Sequence, residues 1–348
     1  MSGRGNKRQK VKVRIKIKNF DFYVAIFTFA FLILNFLTGC APTFPKEKVK
    51  ESIVDICKKE YKVDVKVYTI GKTVAIYLPL ENLLDFTFSI TKEASEHIND
   101  VLLSVSRVTL STDADYDFYC IIAHDIRIPE IQIVIIKSVE DVKRFMLNDI
   151  SRGEYSKRML IDIRLSPQAQ KERAEKEVFQ KMNLDNKWQE DVMNDFFRSE
   201  PTALGDIGYW NNRFYVKDVP MTEFLAEQIA SRIKIEFKED AKLAEAFLVR
   251  SSKGRYTTRG SKRYFELNIS IDPRKVPELD EAASYDRILM ESLKIAIAVL
   301  RGYFFEDYDY VEIANQSDKR MIRVSREEME KLRTSKMDFK EVLIERFL

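Results

Sequence analysis

Two histidines and three cysteines hold all the imidazole and thiol chemistry of this 348-residue chain. His124 closes an alternating apolar run and is followed by Asp125, so it stands at a strand end, from which catalytic side chains often project. With nearby carboxylates it could act as the acid–base group of a hydrolase. That chemistry lacks a nucleophile, because no serine or cysteine occupies a motif such as G-x-S-x-G. His97 lies on the flank of a helical pattern, and two isolated histidines fall short of the three protein ligands of a catalytic zinc site. Phosphate loops and G-x-G-x-x-G turns are missing too, so neither a metal nor a cofactor is expected.

Three further groups merit weighing. The segment Lys253 to Arg263 carries five bases, Lys253, Arg255, Arg259, Lys262 and Arg263, with Gly254 and Gly260 to supply turn geometry. It reads as a solvated hairpin tip, and as a functional surface it would contact anionic lipid headgroups, lipopolysaccharide or an acidic partner. Phe304 to Tyr310 sets Glu306, Asp307 and Asp309 among aromatics without the spacing of a calcium loop, and reads as an acidic turn before a strand. Cys57 and Cys120 both lie on apolar faces. They read as core thiols, although a bridge between them is allowed outside the cytoplasm.

The elements that must position these residues come in two similar series. Val49, Ile53, Ile56 and Cys57 mark a helix; Val63 to Leu78 reads as a hairpin turning at Gly71-Lys72; Ile98 to Val108 marks a long helix. Two strands follow, Tyr116 to Ile122 and Ile131 to Ile136, and Ser138 opens another helix. The second series runs from a helix with Leu225, Ile229, Ile233 and Phe237 through strands near Phe247 and Phe265 to Ile271. A helix over Tyr285 to Leu300 comes next, then strands at Tyr308 to Ile313 and Met321 to Val324. The ends share a register: Ser138 with Asp141 and Ser325 with Glu328 are both Ser-x-x-acid capping signals after an apolar strand. The expected class is α+β, as two duplicated αββαββα units. Each would have a small, mainly antiparallel sheet with helices on one face. The divisions expected are 1–39, 40–165, a helical connector and loop over 166–215, and 216–348.

Composition is that of ordinary globular domains: 45% hydrophobic, 32% charged, with 10 Gly and 9 Pro. It excludes a disordered chain, a collagen-like repeat and a disulfide-dense mini-domain. The charge is uneven. Residues 1–39 hold eight bases and one acid, leaving 50 Lys+Arg against 54 Asp+Glu in the remainder. After those bases comes an apolar run, Phe22 to Leu37, and then Leu37-Thr38-Gly39-Cys40.

These four residues resemble the lipobox of bacterial lipoprotein signal peptides. The resemblance implies cleavage between Gly39 and Cys40, a diacylglyceryl group on the Cys40 thiol and further acylation of the new amino terminus. It covers only the first forty residues or so. Its departures are the long basic region and Asn35 within the apolar run. Two or more acyl chains make anchoring stable where one is marginal. Ala41 stands where an inner-membrane retention signal would have Asp, which favours the outer membrane, facing the periplasm, in a diderm. The expectation is a non-enzymatic envelope module, held to the membrane through lipid on Cys40, that binds or scaffolds an envelope protein partner; nucleic acid is excluded by that location. The alternatives are an envelope hydrolase using His124 and a ligand-binding module with a groove between the units.

Overall fold

A computed structural model describes residues 43–85, 89–128, 131–165, 204–205, 207–210, 213–274 and 281–344. Of the helical connector and loop expected over 166–215, residues 166–203 lie outside the described residues, as does the lipobox.

In the first unit, Val49, Ile53, Ile56 and Cys57 recur at helical spacing and bury one face of α1 (Val49–Glu60). The hairpin β1 (Lys66–Ile70) and β2 (Thr73–Leu80) turns through Gly71, whose φ of 55° suits glycine. Helix α2 (Lys92–Leu110) begins at Thr91, whose Oγ1 accepts the Ala94 N–H at 3.2 Å. It crosses over to β3 (Phe118–Asp125), which pairs parallel to β2 and antiparallel to β4 (Ile131–Ser138). Then follow α3 (Val139–Met146), α4 (Arg152–Lys157) and β5 (Leu160–Leu165), an antiparallel fifth strand beside β4. A short hairpin, β6 (Gly208–Trp210) and β7 (Arg213–Tyr215), precedes the second unit.

The second unit repeats that pairing order. Helices α5 (Met221–Glu239) and α6 (Ala241–Ala246) lead into the long hairpin β8 (Phe247–Arg259) and β9 (Lys262–Pro273). Gly260 at φ 63° begins its turn. Helix α7 (Glu281–Gly302) crosses over to β10 (Tyr310–Asn315), parallel to β9, and β11 (Arg320–Ser325) closes the sheet. Helices α8 (Arg326–Arg333) and α9 (Phe339–Ile344) follow as the last elements of the described residues. The sheets run β1-β2-β3-β4-β5 and β11-β10-β9-β8, so the fold is α+β with one parallel pair in each.

The equivalent capping signals behave differently. Ser325 and Glu328 form a reciprocal capping box at the start of α8. Ser138 makes no side-chain cap, and its buried Oγ has no partner. Asp141, the acid of that signal, is turned instead toward the second unit.

Each unit keeps its own helices on one sheet face, but the first sheet is buried on both. Val74, Ile76, Leu78, Tyr119, Ile121 and Ile133 meet α1, α2 and α3 in one core. Ala75, Cys120, Ile122, Val134 and Ile136 share a second core with α5 and the inner face of the second sheet. Helix α5 is therefore buried on two sides, with Phe224 4.8 Å from Phe118 of β3. Burial of each of Phe224, Leu225, Ile229, Ile233 and Phe237 stabilises by about 1.5–3 kcal/mol. On its other side α5 lies directly on β8 at Gly254, where an added Cβ would come within 1.8 Å of the Ala226 carbonyl oxygen. Gly254 is thus a close-approach glycine inside a strand, not a turn residue.

Polar groups complete the seam. Asp141 accepts from Arg158 Nη1 at 2.8 Å and from the Tyr303 hydroxyl at 2.5 Å. Arg158 Nε donates to Glu154, whose other oxygen accepts from Arg232 of α5 at 2.9 Å. Arg144 and Arg158 both donate to the Gly302 carbonyl, at 2.5 and 3.3 Å. At the β1–β2 turn, Asp218 accepts the Lys72 N–H at 3.0 Å and the Thr73 hydroxyl at 2.8 Å. Gly254→Ala is expected to lower stability by about 3 kcal/mol or more, because backbone must move. Gly260→Asn, at an exposed turn asparagine tolerates, should cost less than about 1 kcal/mol. Urea unfolding of both variants checks the difference; equal stability would detach α5 from β8.

Candidate functional site

His124 does not project from its strand end. It is 5% exposed, its Nδ1 lies 3.2 Å from the Tyr77 hydroxyl, and its ring is 4.7 Å from that of Tyr209. Tyr77 and Tyr209 stack at 4.4 Å. Gln132 holds the covering hairpin in place: its side-chain oxygen accepts the Tyr209 N–H at 2.7 Å, and its amide donates to the Tyr209 carbonyl at 3.5 Å. Burial, aided by Tyr209, pushes the Tyr77 hydroxyl far above its ordinary range, so it stays a protonated donor. Neighbouring strand residues face opposite ways, and Asp125 accordingly turns from His124. Its carboxylate accepts backbone N–H groups of Leu83, Arg127 and Ile128 at 2.8–3.0 Å, tying two loops together. Tyr77, Gln132 and Tyr209 complete this cluster, and the sequence offered no signal for their meeting.

Cys57 and Cys120 are free and buried, in different cores on opposite faces of the first sheet. The sheet between them excludes the disulfide. Burial pushes the Cys120 thiol up to about 12 and raises that of Cys57, so neither is a ready nucleophile.

The basic hairpin and the acidic turn, separate in sequence, meet in space. Arg263 pairs with Asp307 and Asp309, and Lys262 reaches Asp309 at 3.1 Å. The backbone N–H of Arg263 and the Lys262 amine hold the Asp309 carboxyl below its usual range. Arg259 pairs with Glu266 at 2.6 Å and Glu312 at 2.9 Å on the outer face of the second sheet. Arg255 is exposed, and Lys253 is partly buried. Much of this positive charge is therefore neutralised within the molecule.

One open groove, about 860 Å³, lies between the end of α7 and α8. Leu300, Phe305, Tyr308 and Met329 form its apolar floor, and five basic residues against three glutamates line its rim. The Tyr308 hydroxyl donates to the Met329 sulfur at 3.7 Å. Among the described residues, no group of three His, Cys, Asp or Glu could hold a metal, and no helix is long and apolar enough to cross a membrane. The chain matches no family model, no curated protein and no solved structure.

Lys137 is the least expected buried charge. It is 3% exposed, with Nζ 3.1 Å from the centre of the Tyr155 ring. Burial depresses its amine, Asp141 opposes this, and the balance is about 7. In the unfolded chain the amine titrates near 10.4. Between those values the unfolded state binds more protons, so this residue makes stability rise with pH from about 7 to about 10. Lys137→Met should raise the melting temperature at pH 7, with a smaller gain at pH 10. An unchanged pH slope in the variant would show that Lys137 keeps its proton in the fold.

Proposed function

We propose that this chain is a lipid-anchored envelope lipoprotein whose two-unit body works as a non-enzymatic binding or scaffold module. The anchor rests on Leu37-Thr38-Gly39-Cys40, with Cys40 as the acylated residue. Ala41 favours an outer-membrane destination in a diderm. The body rests on one observation: the side chains best suited to chemistry hold the fold together. His124 is closed in by Tyr77 and Tyr209, Asp125 bonds backbone, and the two remaining thiols are buried.

The hydrolase alternative needs His124 in a cleft beside a nucleophile, and its closed aromatic setting argues against that. A ligand groove between the units fares no better, since Phe118, Phe224, Leu225 and Val219 fill that space. The shared pairing order and the matching positions Ser138 and Ser325 support descent of both units from one ancestral repeat.

Palmitate labelling of the intact chain beside Cys40→Ser tests the anchor. Label should enter the first and not the second; label surviving the substitution removes the lipobox reading. Cross-linking in membranes followed by purification tests the scaffold role. The anchored protein should carry an envelope protein with it, and its recovery alone would leave that role without support.

A further inference from the structure

We propose that the end of the molecule bearing Phe304, Met146 and Leu147 is a membrane seat, in which these side chains enter the interface of an anionic bilayer. The proposal rests on the lipid anchor at Cys40 and adds the surface through which the body meets that membrane.

The argument begins with Phe304. Helix α7 ends with the Phe304 N–H on the Arg301 carbonyl and the Phe305 N–H on that of Leu300, both at 3.0 Å. Phe304 takes the left-handed position in this terminus, at φ 52°, where helices favour glycine. Its ring is 81% exposed. Glycine would take this backbone position without strain, so a phenylalanine there displays a large apolar ring to water at a cost in stability. The guanidinium of Arg144 lies 5.7 Å from that ring, and Arg144 also donates to the Gly302 carbonyl. Two and three residues beyond Arg144, Met146 and Leu147 are 66% and 79% exposed. Three of the most exposed large apolar side chains therefore lie on two segments, the end of α3 and the end of α7, that Arg144 ties together.

The incoming chain reaches the same end. The Phe44 N–H bonds the Ser111 carbonyl at 3.2 Å, and Phe44 bridges to Thr112, just past the end of α2. That is the end of the first sheet at which β3 starts, β4 finishes and β5 starts. Arg158, just before β5, bonds the Gly302 carbonyl, so the Gly302–Phe304 turn stands there too. From Cys40 to Phe44 the chain spans at most about 14 Å, at ~3.5 Å per residue. A body so closely tethered must rest some surface on the bilayer. Charge favours this one by a small excess: on the rim of the adjoining groove Arg326, Lys331 and Arg333 pair with Glu306, Glu327 and Glu330, and Arg301 and Lys336 add two further bases, in a protein whose remainder after residue 39 is mildly acidic.

The test uses the full-length chain reconstituted into vesicles of phosphatidylcholine, with or without phosphatidylglycerol. A fluorophore is attached through Phe304→Cys or, for comparison, Leu103→Cys, which lies on α2 and is 60% exposed; the parent chain is labelled in parallel. With nitroxide-bearing lipids, the probe at 304 should be quenched roughly twofold more than that at 103, and more so with phosphatidylglycerol. In a second pair carrying Leu147→Cys, adding Phe304→Gly should reduce quenching while leaving the melting temperature equal or higher. Equal quenching at 304 and 103 in acylated, vesicle-bound protein would overturn the seat and leave the anchor standing. Quenching at 304 in protein without an acyl chain would retain the seat and remove the anchor.

Discussion

Helix α5 must satisfy two sheets at once, and most of the architecture follows from that constraint. Phe224 reaches Phe118 of the first sheet, while Ala226 lies against Gly254 of the second. Small residues at Ala226 and Gly254 let the backbones approach, and large ones fill the opposite side. A core shared in this way has no independent halves. Core shape tolerates few changes of volume, so a side chain added on either side is felt in both sheets.

Polar chemistry at the seam follows the same division. In the second unit Glu328 stays local and caps α8 through Ser325. In the first, Asp141 serves Arg158 and Tyr303, and the helix start beside Ser138 goes without that cap. A capping box is worth about 1 kcal/mol, whereas removing one partner of a buried pair costs about 3–5 kcal/mol. The exchange of a local bond for a joining one is thus strongly coupled to assembly of the two units. Burial alone would raise the Glu154 carboxyl, yet Arg232 and Arg158 hold it below its usual range, which keeps the network ionised.

Element order was legible because amphipathic periodicity is local. Alternation at Phe265 to Ile271 and helical spacing at Val101, Val105 and Val108 report which face is buried. They do not report by what. The stripe Leu225, Ile229, Ile233, Phe237 indicated one buried face of α5, while Phe224, Ala226 and Ala230 on the others carried the unread sign of a helix enclosed all round. Gly254 looked like a turn residue because a glycine's reason lies in its neighbour, here Ala226. His124 looked projecting because Tyr77 and Tyr209 are far away in sequence. Pairings across the chain, such as Arg263 with Asp307, obey charge but leave no local spacing to read.

The two-sided burial of the first sheet also bears on the order in which the protein can be completed. A chain that emerges from its amino terminus makes β1 to β5 long before α5. Until residue 239 has followed, Ala75, Cys120, Ile122, Val134 and Ile136 form an uncovered apolar sheet face. Such surfaces invite association between nascent chains. The first unit is therefore a half-finished object that depends on a later segment for its second wall, and a holding chaperone would find its binding face there.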